Sequence, residues 1–323
     1  MQDCWRSTSL SVNTLGARAI IFAGGVRFSQ RCLKVLLDMG APVVGVLALR
    51  PGAVSSGADY ADISGQAAAA GIPVHHFERI SDPEVGTFLD RIRPDVGFVF
   101  GLSQLLPRAL LEKCNLGWIG THPALLPRNR GRHPLIWAII EGLTESGLTF
   151  FRLDEGADSG DIVWQGKFEI LGTDDASTLY RKMEDLAAEG LHKWVPLLLE
   201  GRASFVPQDH AQATYWRKRK AADGQIRWRE AAQTACRLIR ALTRPYPGAE
   251  TYLHGRRVTV WRARETTITE SERGPSGQVC RVEDGGPVVI CGRGAIQLIE
   301  WQSQEGMVQP MVGDRFGEGP ERE

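Results

Sequence analysis

The chain has no net charge, because 38 lysines and arginines balance 38 aspartates and glutamates. That balance removes any general electrostatic attraction to nucleic acid. It also lacks an apolar run of the roughly 20 residues that a membrane helix needs, so no membrane partner is expected. The six cysteines (Cys4, Cys32, Cys114, Cys236, Cys280 and Cys291) are scattered and form no C-x-x-C pair. They read as free thiols in a reducing cytoplasm, and they argue against a disulfide framework or a zinc site. Met1 to Gly16 is polar and has no apolar centre of the secretory type, so it reads as a loose extension. No internal repeat occurs. What is present is 323 residues, 43% of them hydrophobic, which suits two globular domains with a sizeable core.

Apolar runs and helical patterns alternate over the first two-thirds of the chain. Arg18 to Ala23 reads as a buried strand that enters a tight turn at Gly24-Gly25. Helical spacing follows over Phe28 to Met39, then strands over Val43 to Leu49 and Pro73 to Phe77, with a helix over Asp62 to Ala70 between them. Asp82 and Pro83 are a natural N-cap and first residue for a helix that runs to Ile92. Val96 to Phe100 and Gly117 to His122 are the next strands, and Ala176 to Leu199 is a long helix that closes the unit. Such alternation implies parallel βαβ units in an open, Rossmann-like α/β sheet, which binds ligands at the carboxyl ends of its strands. Composition shifts after Gly201. Residues 206–224 read as a linker that contains the run Arg217-Lys218-Arg219-Lys220. After a helix over Arg229 to Leu242, short strands punctuated by Gly and Pro suggest a small OB-like β-barrel. The expected organisation is an extension (1–16), an α/β domain (17–205), the linker, a barrel domain (225–312) and a frayed tail (313–323).

The stretch from His122 to Ile162 carries the chemistry. It contains H-P-A-L-L-P-R-N-R-G-R-H-P and, further on, D-E-G-A-D-S-G-D-I. This layout resembles the formyltetrahydrofolate-dependent formyltransferases, of the methionyl-tRNA and amino-sugar type, whose pattern runs roughly N-x-H-P-S-L-L-P-x-x-x-G with a later D-x-G. His122, Pro123, Leu125, Leu126, Pro127 and Gly131 match it, as do Asp158 and Gly160. Gly120 stands at the family's asparagine and Ala124 at its serine. Ala213 to Ile226 and Arg240 to Ala249 resemble the start of the family's barrel-like C-terminal domain, so the likeness runs from about Ala17 to Glu305.

The resemblance implies transfer of a formyl group from 10-formyltetrahydrofolate, as co-substrate, to an amine, with no metal. Such a transfer requires stabilisation of an oxyanion and removal of a proton from the attacking nitrogen. His122 and Asp158 are the implied catalytic residues, each placed near a strand end on one side of the sheet. A protonated His122 would donate to the oxyanion, and Asp158 would raise its proton affinity. Losing one oxyanion donor, as Gly120 implies, costs roughly 3–4 kcal/mol elsewhere. Ser103, Gln104 and Asn129 are candidates to compensate, and the missing Cβ could also make room for a bulkier acceptor. The folate pocket would be built by Phe100, Leu102, Gln104, Leu105 and Leu106 on one side and by Asp154, Gly156 and Ala157 on the other. Gly24 and Gly25 would face the acceptor, and Arg128, Arg130 and Arg132 would pair with its phosphate or carboxylate.

Blander readings apply elsewhere. His75-His76 is expected to be structural, since neighbours on a strand face opposite ways. His133 suits capping or loop packing as well as substrate contact. Arg217 to Lys220 suits a solvated linker better than an anion site. Gly24-Gly25 lacks the full dinucleotide fingerprint, and Asp154, Asp158 and Asp161 lack the calcium-loop spacing. The segment Arg50 to Asp62 holds one basic residue and two acids, which disfavours tRNA. A small amine, foremost a nucleotide-linked amino sugar, is therefore the expected acceptor. Methionyl-tRNA and a modified amino acid such as hydroxyornithine are the alternatives within the family. A formyl-folate hydrolase or a silent folate-binding module is the alternative outside it. A homodimer is compatible with all of these.

Overall fold

The computed structural model describes residues 18–53, 59–303, 306 and 309–317. The extension expected over 1–16, Cys4, part of the 50–62 segment and the end of the expected tail lie outside the described residues.

The first unit opens with β1 (Ile20–Gly24), α1 (Arg27–Asp38), β2 (Val43–Leu49), α2 (Ser64–Ala69) and β3 (Val74–Phe77). It continues through α3 (Pro83–Ile92), β4 (Val96–Val99), α4 (Arg108–Leu111) and β5 (Trp118–His122). A short β6 (Arg130–Gly131) and α5 (Pro134–Ile140) precede the hairpin of β7 (Glu145–Arg152) and β8 (Ile162–Glu169). α6 (Ala176–Leu199) then packs back on α1 and β8. Its start is set locally: the Asp175 carboxylate accepts from the Thr178 amide, and the Thr178 hydroxyl accepts from the Asp175 amide. Asp82 does precede α3, but its carboxylate turns back to the Glu78 and Arg79 amides instead of capping the helix.

These strands form a seven-stranded sheet in the order β3-β2-β1-β4-β5-β7-β8. β1 to β5 pair in parallel, and β7 and β8 add antiparallel strands at one side. β1 is buried at every position because helices cover both faces. The strand order reverses around β1, so the carboxyl ends of β1, β4 and β5 gather beside one crevice, where α/β sheets bind ligands.

The second unit follows β9 (Tyr215–Trp216) and consists of α7 (Ala232–Leu242) with β10 (Ala249–Leu253), β11 (Arg256–Thr266), β12 (Val279–Glu283), β13 (Gly286–Ile290), β14 (Ala295–Ser303) and β15 (Phe316–Gly317). Its six strands make an antiparallel sheet, β12-β13-β14-β11-β10-β15. A bridge between Gln278 and Arg315 links the two edges, so the sheet curls back on itself. One hydrophobic cluster runs through both units, from Phe22 through Phe150, Trp194 and Ile239 to Phe316. Among the described residues, no helix is long and apolar enough to cross a membrane.

Two sequence expectations are corrected here. The expected tail includes β15, where Phe316 is 1% exposed and packs on Trp228, so the sheet needs it. The expected linker is ordered: Val206 bridges to Ile162, Gln208 is buried, and β9 pairs in parallel with β6. Polar composition hid this, because the segment is held by hydrogen bonds to another loop and has no apolar periodicity of its own. Replacing Phe316 by alanine is expected to lower the unfolding free energy by about 3–5 kcal/mol in denaturant melts, as for other buried aromatic truncations. A frayed tail would give no measurable change.

Candidate functional site

β5 ends at His122, and the chain then turns sharply through Pro123 to Arg132. Two side chains of the hairpin, Thr149 and Gln165, hold this turn. The Thr149 hydroxyl, directly across from His122 in the β5–β7 pair, donates to the Ala124 carbonyl (2.7 Å) and accepts from Gln165 (2.8 Å) and the Leu126 amide (3.3 Å). Gln165 also donates to the Leu126 carbonyl at 2.9 Å. Gly131 adopts φ +103, and a Cβ there would lie 2.2 Å from the Trp216 carbonyl oxygen, so only glycine lets β6 approach β9.

His122 is 3% exposed. Its Nε2 lies 2.7 Å from the Asn129 carbonyl, which can only accept, so Nε2 carries a hydrogen. Its Nδ1 lies 3.5 Å from Asp158 Oδ2. The same carboxylate oxygen accepts from the Gly131 amide at 2.9 Å. Burial pushes the imidazole below its ordinary proton affinity. The Asp158 charge and the Asn129 hydrogen bond oppose that shift, and the Arg130 charge adds to it. Near neutral pH that direction favours the neutral ring, and the Asn129 contact leaves its lone pair on Nδ1. A neutral ring offers a proton acceptor at Nδ1, whereas the sequence reading has a protonated His122 as donor.

Asp158 arrives by a route the sequence did not suggest. β7 is antiparallel, and Arg152 lies opposite Ile119, near the amino end of β5. The loop that follows doubles back to bring Asp158, at φ 55, to His122. Gly160 permits this return, since a Cβ there would meet the Arg152 carbonyl oxygen at 1.9 Å.

Gly120 sits on the face that carries His122, and its missing side chain has been replaced by a neighbour. A Cβ at Gly120 would lie 2.4 Å from Leu153 Cδ2 and 3.1 Å from its Cγ. Leucine from the Asp158 loop thus fills the space that the family's asparagine would use, and no room is left there for an acceptor. Of the candidate compensators, Gln104 is spent: its amide accepts from Ile80 N (2.7 Å) and donates to Glu78 O (3.1 Å). Asn129 points its side-chain oxygen at the Thr214 hydroxyl (3.2 Å). Ser103 lends its carbonyl to Arg132 (2.9 Å).

The remaining expected residues fall into separate groups. Leu102, Leu105 and Leu106 lie together on the loop after β4, with Leu105 71% exposed and Leu106 buried. The Phe100 ring packs inward against Phe98, Phe22 and Phe150, and its backbone is used internally, the amide donating to the Ala23 carbonyl (3.1 Å) and the carbonyl accepting from the Ser29 hydroxyl (2.6 Å). Asp154 is occupied with its own loop, accepting from Gly156 N and the Ser159 hydroxyl, while Gly156 and Ala157 are exposed. Gly24 and Gly25 are buried where a Cβ would strike Ser29 and Leu49, respectively. Arg128 and Arg132 are exposed on the loop, whereas Arg130 is turned into the protein. The expected solvated run at 217–220 is instead structured: Arg217 pairs with Asp223 through two oxygens and lies over Trp137, and Arg219 is partly buried against the same ring. His133 does not cap α5; burial and the cations Arg132, Arg219 and Lys218 all lower its proton affinity, which marks a basic rim beside the site. Sequence reasoning missed Gln208, Thr214 and Leu153, which carry no motif and matter only through the loops they touch.

Gly120→Asn alone is expected to destabilise the fold by about 1–3 kcal/mol through overpacking. The double variant Gly120→Asn/Leu153→Ala should recover most of that loss in thermal and denaturant melts. Equal stabilities for native protein and single variant would show that Leu153 does not occupy the site.

A family model described as formyl transferase matches residues 19–195, and one described as formyl transferase, C-terminal domain, matches residues 218–316. Among solved structures, an N-formyltransferase from Helicobacter canadensis, in complex with folinic acid and dTDP-3-aminofucose, superposes with a TM-score of 0.65 at 16% identity, covering 88% of this chain and 98% of that one. WlaRD, a sugar 3N-formyl transferase in the presence of dTDP and 5-N-formyl-THF, gives 0.63 at 16% identity over 90% and 99%. HypX from Aquifex aeolicus, in complex with tetrahydrofolic acid, gives 0.63 at 17% identity; the match covers 90% of this chain but 45% of HypX, so this chain spans less than half of that protein. These identities speak for a shared fold, and the two family matches, which together take in most of the chain, speak for descent: the chain belongs to the formyl transferase family of enzymes, with both its N-terminal and C-terminal domains.

Proposed function

We propose that this enzyme moves the formyl group of 10-formyltetrahydrofolate to the amine of a small anionic acceptor, foremost a nucleotide-linked amino sugar. The observation that carries this reading is the buried His122, set between the Asn129 carbonyl and the Asp158 carboxylate at the crevice of the sheet. Leu102, the exposed Leu105 and the exposed loop of residues 154–157 suit a flat folate ring. The basic rim of Arg128, Arg132, Lys218 and Arg219 suits a phosphate-bearing acceptor. The solved relatives that hold folates and a dTDP-amino sugar support the same pairing of substrates. The C-terminal unit, whose curled sheet we read as OB-like, packs α7 against α5.

In this reading the acceptor nitrogen attacks the formyl carbon, a new C–N bond forms, and the C–N bond to the folate breaks. The neutral imidazole takes the amine's proton at Nδ1. The imidazolium so formed is stabilised by Asp158 and by the Asn129 carbonyl, and its Nδ1–H can face the developing oxyanion. The proton then passes to the leaving folate nitrogen. With Leu153 in place of an amide at Gly120, the site relies more heavily on His122 for that donation.

The test is tetrahydrofolate release from 10-formyltetrahydrofolate in the presence of nucleotide-linked amino sugars, methionyl-tRNA and hydroxyornithine. His122→Ala and Asp158→Ala are each expected to reduce turnover by about 10²–10⁴ while leaving the fold intact. Turnover with methionyl-tRNA alone would reject the small acceptor. Formate release that needs no amine would favour a hydrolase, and folate binding without turnover would favour a silent module. The pH profile gives a second check. Because burial depresses the imidazole of the free enzyme, the neutral base persists as pH falls, and kcat/KM should drop on an acid limb whose midpoint lies below the ordinary histidine value of 6.5. An acid limb at or above that value would contradict the neutral-base role.

A further inference from the structure

Arg130 is 2% exposed, yet none of its partners among the described residues is a carboxylate. Its Nη2 donates to Gln208 Oε1 (2.7 Å) and approaches His210 Nδ1 (3.2 Å), while Nη1 donates to the Tyr215 hydroxyl (3.0 Å). Its Nε is shut from solvent without a partner. A buried guanidinium facing only neutral groups is costly, and it persists only where the surrounding geometry is tightly fixed.

Gln208 is that fixed point. It is buried, and its amide is used at both ends. The oxygen faces Arg130, which can only donate. The nitrogen faces the Asp158 carbonyl (3.0 Å) and the Gly160 carbonyl (2.7 Å), which can only accept. The orientation of the amide is therefore unambiguous. Six residues on, Thr214 holds the opposite wall: its hydroxyl accepts from the Asn129 amide (2.8 Å), and its carbonyl accepts from the Arg130 amide (2.9 Å). Asn129 and Asp158 are the two residues whose oxygens flank His122, and both are non-glycine residues in the left-handed region, at φ 62 and 55. Such backbone holds only when neighbours over-determine it.

We propose that the segment joining the two domains, residues 206–216, is a strap whose Gln208 and Thr214, with Arg130, are positioning residues that clamp the Asn129 carbonyl and the Asp158 carboxylate on the two nitrogens of His122. The proposal rests on the assignment of His122 and Asp158 made above. The charged groups acting on His122 are Asp158, from the loop after β7, and Arg130, from β6; its strand partner Thr149 is uncharged. The strap thus sets both the tautomer of His122 and the balance between the two charges.

The test uses the full chain without ligand, labelled with ¹⁵N in the imidazole rings. NMR titration of His122 is compared for the native protein, Gln208→Glu, Gln208→Met and Thr214→Val, each first shown to be folded by its melt. Gln208→Glu places a carboxylate on Arg130 and withdraws both donations to the 158–160 backbone; the His122 midpoint is expected to rise by on the order of one pH unit. Gln208→Met and Thr214→Val should each replace the single Nε2–H tautomer by a mixture. Folded variants with the native midpoint and the native tautomer would overturn the proposal. So would collapse of all three variants, which would make the strap a folding element and not a positioning one. Because no substrate is present, failure here is separate from failure of the catalytic reading, which turns on whether His122→Ala abolishes formyl transfer.

Discussion

The hydrogen bond from His122 Nε2 to the Asn129 carbonyl is the constraint on which the candidate site depends. It commits one nitrogen of a buried ring and leaves the other, beside Asp158, to face any reacting group. Burial opposes the charged form of the ring and the Asp158 charge favours it, so in the proposed reaction the ring acts as a base and Asp158 contributes most once a proton has arrived. Everything that holds Asn129 in its left-handed conformation therefore bears on the chemistry. This includes the glycine at 131, the strap residue Thr214, and the Thr149–Gln165 pair that anchors the start of the same loop.

Gly120 and Leu153 belong together. A leucine from the loop that delivers Asp158 occupies the volume that an asparagine side chain would need. The exchange removes a polar donor and adds apolar contact behind the reacting position. It lowers local polarity, which strengthens the remaining electrostatic interactions around His122. In a site with fewer donors, the position of those that remain matters more, which is consistent with the amount of buried hydrogen bonding spent on Asn129 and Asp158.

Much of the fold was legible in the sequence because its signals are local. The apolar runs of β1, β2 and β4 and the helical pattern of α6 were read close to their observed bounds, since burial on both sheet faces or along one helix face writes itself into residue spacing. The H-P-x-L-L-P-x-x-x-G and D-x-G elements pointed to His122 and Asp158 together. Where reading failed, polar segments were taken as loose. Residues 206–224 and 314–317 have little periodicity of their own, and their order comes from pairing with distant strands and loops.

By itself, the sequence determined the alternation of strands and helices, the family, and the residue types available for formyl transfer, because each is encoded within a short window. Tertiary structure alone decided which way those residues face. The antiparallel return of β7 brings Asp158 to His122. Leu153 fills the gap at Gly120, and Arg130, one of three similar arginines in the same loop, turns inward to Gln208. Each of these depends on contacts between residues tens of positions apart, and no local pattern records which of several equivalent side chains will find a buried partner.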